Sequence, residues 1–212
     1  GLPRHYGAAL CAKVARAGLE GAELSDLQRA EARRLLRRRG VGPRVEDGAL
    51  GQRLRDFIAR SATFAMPNRK AAYELTHIVF YLSDYGRRPP VLPEAALKSL
   101  HFTGLLAFLD QDMDLLAEVC AALRFAGQGP SPLWEDALAA SHRVMRVYAD
   151  VGAPLQDDYH EWLVTGWAMQ IAGRPMRSTD IPKGALRFHQ GRKGVGALRP
   201  LAVCLNDMGA NR

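Results

Sequence analysis

The chain predicts an all-α fold, and three observations carry that prediction. Apolar residues recur at helical spacing over most of the sequence. Capping residues and breakers punctuate that spacing at intervals that suit helices of about 8–20 residues. No alternating apolar–polar run lasts beyond four residues before a breaker. The expectation is about eight antiparallel helices, stacked as helical hairpins or gathered in an irregular bundle, with an extended C-terminal tail.

The elements follow in order. A short helix spans His5 to Ala17. Ser25-Asp26-Leu27-Gln28 reads as a capping box that opens a second helix, which runs to about Arg39, where Gly40 stops it. A third helix is expected from Ala49 to Ala62. Pro67-Asn68 breaks the chain and caps a fourth, from Arg69 to Asp84, ended by Gly86. Pro93 opens a fifth, to Leu109. Asp110 or Asp112 caps a sixth, to Ala126. Ser131-Pro132 opens a seventh, expected to reach Val151, because proline suits the first helical position. The eighth covers Gln156 to Ala172. Beyond Gly173, prolines and glycines interrupt the pattern. The expected organisation is one helical domain over 1–173, with N-terminal helices over 1–62 and a motif-bearing core over 65–173. A tail over 174–212 packs on it.

Composition narrows the class. Apolar residues make up 48% and charged residues 24%, so the chain can bury a core and is not disordered overall. No apolar run is long enough to span a membrane. Gly1 to His5 lacks the basic-then-apolar order of a signal peptide. Cys11, Cys120 and Cys204 are too scattered for a disulfide framework. The expected localisation is therefore cytoplasmic. Lys+Arg is 29 against 22 Asp+Glu, a net charge of +7, and only five of those cations are lysines. Arginine, alanine, glycine and leucine share GC-rich codons, so this bias points to the genome before it points to a partner.

The segment Ala71 to Gly86 carries the most chemical information. At about 100° per residue, Glu74, His77, Tyr81 and Asp84 fall within roughly a quarter-turn of one another. The other sides are apolar, as in a buried helix, so this polar stripe is expected to be buried or to line a cavity. His77, Asp84 and Glu74 are the candidate catalytic residues: an imidazole beside carboxylates can act as a general base or bind a metal. Tyr81, Glu118 and His160 are the candidate substrate-binding residues. Glu74-x-x-His77 and Asp157-x-x-His160, with Glu118 between them, match the carboxylate–histidine pattern of metal-binding bundles. His77, Glu74, Glu118, Asp157 and His160 are thus the candidate ligands of a divalent transition metal. The competing reading is a hydrogen-bonded core histidine, with Asp84 as a helix-end residue. His5, His101, His142 and His189 are isolated, and Cys120 reads as a buried thiol. Arg29, Arg33, Arg34, Arg37, Arg38 and Arg39 read as a solvated helix face, with Leu27, Ala30, Leu35 and Leu36 inside. Arg187 to Gly194 reads as a mobile surface loop.

Three stretches together resemble the motifs of a little-characterised all-helical family from actinobacteria. They are Glu74-Leu75-Thr76-His77 with Asp84-Tyr85-Gly86, then Asp114 to Glu118, then Tyr159-His160. The family counterparts are ELTH…D-[FY]-G, DLLAE and a Tyr-His pair. The likeness covers roughly residues 65–170. It implies a place in specialised metabolism, such as peptide maturation, and no established reaction.

Three functions remain open at this stage. The first is an enzyme or maturation factor with a carboxylate/histidine pocket acting on a small molecule or peptide, with or without a metal. The second is a non-catalytic helical module that binds a peptide or carrier protein, its arginines acting as an electrostatic guide. The third is a nucleic-acid binder. No membrane partner is expected. A stripe that lines a pocket favours the first, and one whose polar groups pair internally favours the second.

Overall fold

A computed structural model describes residues 4–42, 48–149, 158–175 and 186–190. Among them are nine α-helices, one 3₁₀ turn and a two-stranded ribbon. No helix among the described residues is long and apolar enough to cross a membrane. The chain divides into two compact units, Gly1–Phe102 with Phe125–Gly127, and Thr103–Arg124 with Gln128–Arg212.

The first unit holds α1 (Arg4–Ala17), a 3₁₀ turn (Leu19–Gly21), α2 (Asp26–Arg38), α3 (Leu50–Ile58), α4 (Ser61–Phe64), α5 (Arg69–Leu82) and the first half of α6 (Glu94–Leu109). Ser25 caps α2 as expected: its Oγ accepts from the Gln28 amide at 3.2 Å and donates to Gln28 Oε1 at 3.1 Å. Gly40 ends the helix with φ +69°. Asp26, in the first turn, accepts both arms of Arg53 at 2.8 and 2.9 Å, which ties α3 to α2. The expected third helix is broken. It stops at Ile58, and α4 starts anew at Ser61, because Arg60 leaves the helical region with ψ 65°. The Ser99 hydroxyl donates to the Ile58 carbonyl at 2.6 Å and satisfies an acceptor at that break. Asn68 caps α5 by accepting from the Ala71 amide. Leu36, Leu54, Ile58, Phe64, Leu75 and Val79 form the apolar centre.

Two expectations about α2 fail. Arg33 is buried, and Arg34 is nearly so, whereas Leu35 is half exposed. The helix turns its arginine stems inward because a carboxylate waits for one of them, as described below. Arg37, Arg38 and Arg39 remain on the solvated face.

The second unit holds α7 (Met113–Phe125, to Arg124), α8 (Pro132–Val144), β1 (Met145–Ala149), α9 (Tyr159–Ile171) and β2 (Leu186–Gln190). Asp112 caps α7 by accepting from the Leu115 amide at 3.1 Å. From Leu115 to Leu123 every residue of α7 is buried, as a helix apolar on all sides requires. Gly104 lies against Trp134 so closely that a Cβ there would sit 2.5 Å from two ring atoms. The seventh helix does not reach Val151. It stops at Val144, and the chain passes straight into β1, which pairs antiparallel with β2 from Met145↔Gln190 to Ala149↔Leu186. Val147 and Tyr148 favour an extended backbone once a partner strand is supplied. That partner lies in the expected tail, outside the reach of local periodicity. Arg187 to Gln190, expected to begin a basic loop, belong to this strand instead. Gly191 to Gly194 of that loop, and the rest of the tail beyond them, lie outside the described residues.

Candidate functional site

The expected stripe on α5 exists, on the side away from the core. Leu75 and Val79 are fully buried and sit about 160° around the helix from His77. His77, Glu74 and Asp84 are accordingly half-buried, and only Tyr81 is buried. The ring of His77 is therefore not sealed as the sequence suggested. Its Nδ1 lies 2.7 Å from the Tyr73 carbonyl, which can only accept, so the proton of the neutral ring sits on Nδ1 and the basic lone pair on Nε2. Glu74 lies 3.8 Å from Lys70, a loose surface pair.

The stripe is better described as a ladder of rings. Tyr73, His77, Tyr81 and Tyr85 recur every four residues, with successive centroids 6.4, 6.1 and 6.2 Å apart. The Arg69 guanidinium lies 5.6 Å from the Tyr73 ring at one end. The Arg34 guanidinium lies 4.3 Å from the Tyr85 ring at the other. Both distances are within cation–π range.

The Arg34 end is built with care. Three consecutive residues, Asp84, Tyr85 and Gly86, adopt left-handed φ of 47°, 57° and 79°. A tyrosine there is costly and persists only where its surroundings over-determine it. Here they do. The Tyr85 amide donates to the Phe80 carbonyl at 2.7 Å. The fully buried Ser83 hydroxyl donates to the Phe80 carbonyl and accepts from the Gly86 amide. The Phe80 ring packs between Tyr85 and Phe125. Arg34 Nε donates to Asp84 Oδ1 at 2.8 Å, and Arg87 approaches Oδ2 at 3.4 Å. Burial alone would raise the Asp84 carboxyl, but the hydrogen bond and charge of Arg34, aided by Arg87, outweigh it and hold the group below the usual carboxylate range. The Tyr81 phenol moves the other way: burial raises it well above its ordinary value, and the charge and hydrogen bond of Glu31 add to that.

The remaining sequence candidates belong to the second unit. Glu118 is buried in α7. His160 is exposed at the start of α9, with Nδ1 2.6 Å from Asp114 Oδ1. Asp157 lies outside the described residues. Among the described residues, no three His, Cys, Asp or Glu side chains form a group that could hold a metal ion.

Two arrangements in this unit had no specific sequence signal. Buried Glu135 receives Arg124 through Nε at 3.0 Å and through Nη2, and Arg174 through Nη2 at 3.3 Å. Arg174 also bonds Asp136 at 2.7 Å. Burial, with the Glu135 charge beside it, pushes the Cys120 thiol up to about 12 against the opposing pull of Arg124, so this cysteine is inert. The cavity next to them, lined by Cys120, Glu135, Leu138 and Met169, measures about 10 Å³, the space of one water at most.

The second arrangement is buried His142. Its Nδ1 lies 2.9 Å from Thr165 Oγ1, and that hydroxyl donates to the Glu161 carbonyl at 2.6 Å. The hydroxyl proton is thus committed, and His142 donates from Nδ1. Its ring also stacks on Trp162. Burial lowers its pKa, so the folded protein keeps it neutral where the unfolded chain, with a pKa near 6.5, already binds a proton. Stability should therefore be full above about pH 6.5 and fall as the pH drops from there toward the folded pKa, by at most about 1.4 kcal/mol per pH unit. Urea titrations of the wild type and His142→Gln between pH 7.5 and 5 would show it. Parallel pH profiles for the two would rule the histidine out as the cause.

The ladder was half legible. Period-four aromatic spacing is present in the sequence, but the carboxylates between the rings give the stronger chemical signal. Arg34 carries no distinguishing mark within a helix crowded with arginine. Comparison with known proteins adds a family match: a family model described as a domain of unknown function matches residues 1–212. No curated protein and no solved structure matches the chain.

Proposed function

For this chain, which belongs to the DUF6902 family, we propose a non-catalytic role: a helical module that binds a peptide segment or carrier protein along α5. The observation that carries this reading is the ring ladder Tyr73–His77–Tyr81–Tyr85 with an arginine stacked at each end. Tyrosine and arginine are the side chains that concentrate binding energy at protein interfaces. Tyr73, His77 and Tyr85 are partly exposed, and buried Tyr81 braces them from within. Rings held in this way lose little side-chain entropy on binding. Asp84, the carboxylate best placed for acid–base work, is engaged by Arg34 and Arg87. The solvated Arg37, Arg38 and Arg39 at the end of α2 supply long-range attraction to an acidic partner. The motif resemblance to actinobacterial proteins supports a place for this binding in specialised metabolism.

A second reading is favoured by one observation. The Tyr73 carbonyl fixes the His77 tautomer and so presents Nε2 as a base, which suits an enzyme or maturation factor.

Selection from a random peptide display library on the purified chain tests the proposal. The expected result is enrichment of peptides carrying acidic and apolar residues, with affinity at least tenfold lower for Tyr73→Ser/Tyr85→Ser. No enrichment over a support-only control, or equal binding by the double variant, would overturn it. Mass spectrometry of the selected peptides after incubation with the chain separates the two readings: a covalent change that His77→Asn abolishes would favour the enzyme, and intact peptides the binding module.

A further inference from the structure

The segment between α5 and α6 reads Arg87-Arg88-Pro89-Pro90-Val91-Leu92-Pro93. From the chemistry of that segment we infer a second docking element, separate from the ring ladder: a preformed left-handed polyproline ridge for a protein domain with an aromatic-lined, acidic-rimmed groove. Three prolines fix φ near −65° at positions 89, 90 and 93. Each residue that precedes a proline, Arg88, Pro89 and Leu92, is driven to an extended backbone. Three of the seven residues are thereby steered away from the helical region, and three have φ fixed, before any partner arrives. Residues 89–93 belong to no helix or strand.

Both ends of the segment are anchored. The Arg88 amide donates to the Ser83 carbonyl at 3.1 Å, and its Nε to the Leu82 carbonyl at 3.0 Å. At the far end, the Pro93 carbonyl accepts from the Ala96 amide in the first turn of α6. In the middle, Arg55 Nε donates to the Val91 carbonyl at 3.1 Å. Val91 is nevertheless 79% exposed, an aliphatic group held in water by a fixed backbone.

Arg88 stands at the bend where the segment leaves the turn after α5, Val91 follows three residues on, and both are exposed. Pro89 and Pro93 flank that ridge and are exposed too. The ridge therefore offers a cation, then an aliphatic side chain, with proline rings on either side. Aromatic grooves take proline and aliphatic residues of such a ridge, and carboxylates at the groove's end take the arginine. Because the prolines restrict the segment before a partner arrives, binding loses little backbone entropy.

The test uses the full chain and a panel of purified polyproline-reading domains with acidic-rimmed aromatic grooves, checked with an arginine- and proline-rich control peptide. Titration should give micromolar Kd with at least one domain. Val91→Asp should weaken it tenfold or more, with an unchanged circular dichroism spectrum, since that side chain is outside the core. Arg88→Glu should weaken it further, and affinity should fall with added salt. Three results would overturn the inference: no binding to any domain that binds the control, binding indifferent to Val91→Asp, or tighter capture of a single-stranded RNA 20-mer that Arg88→Glu abolishes. Self-association of the chain, lost in Val91→Asp, would also overturn it by making a second copy the occupant.

Discussion

Gly86→Ala should destabilise the protein by about 2–4 kcal/mol. Gly86 has φ +79°, and a methyl there would meet Cδ1 and Cε1 of Phe125 at 2.5 Å. The left-handed backbone alone costs an L-residue about 1–2 kcal/mol. Displacing a packed ring adds about 1–3 kcal/mol, and Phe125 cannot move without disturbing Phe80. Gly127 provides the control. It has φ +75° but nothing within 4 Å of its added Cβ. Gly127→Ala should show only the backbone cost. Urea unfolding of both variants measures the difference, and equal losses would mean that the ring contact contributes nothing.

Glu135→Ala should cost about 2–3 kcal/mol, somewhat less than a fully buried pair because both arginines keep partial contact with water. The change leaves Arg124 and Arg174 facing each other without the carboxylate they share. Glu135→Gln keeps the shape and part of the hydrogen bonding, so it should cost less. Arg174→Ala should be mild alone and should reduce the penalty of Glu135→Ala when combined with it, since the pair acts as a unit. A loss below about 0.5 kcal/mol for Glu135→Ala would place the cluster among surface pairs of no consequence.

What was legible in the sequence was what neighbours decide. Ser25, Asn68 and Asp112 cap their helices as read, because capping is a contact within three residues, and Pro132 takes the first helical position although the Ser131 side chain makes no capping bond. The all-α class follows from the same locality. The misreadings share a cause of the opposite kind. The helix expected to reach Val151 yields at Met145 to a strand whose partner begins at Leu186. Arg34, counted among solvated cations, turns inward toward a carboxylate 50 residues further along. The core side of α5 was correctly apolar, yet periodicity could not say whether His77, opposite Leu75 and Val79, would be covered by another element. For the candidate residues on α5, periodicity placed them on one stripe but could not name their company: Asp84 pairs with arginine, and His77 and Tyr81 belong to a ring stack.

The bond between Arg34 and Asp84 has an evolutionary corollary. Among the supports of the left-handed tyrosine, one guanidinium does two things at once: it neutralises the residue before it and covers its ring. Loss of Asp84 would strand the nearly buried Arg34, and loss of Arg34 would leave Asp84 with only the longer contact to Arg87. Among related chains, positions 34 and 84 should therefore change together, and position 85 should give up its aromatic ring in those lineages where arginine has left position 34. Two sites 50 residues apart would then carry one shared historical record, written by the geometry of a single turn.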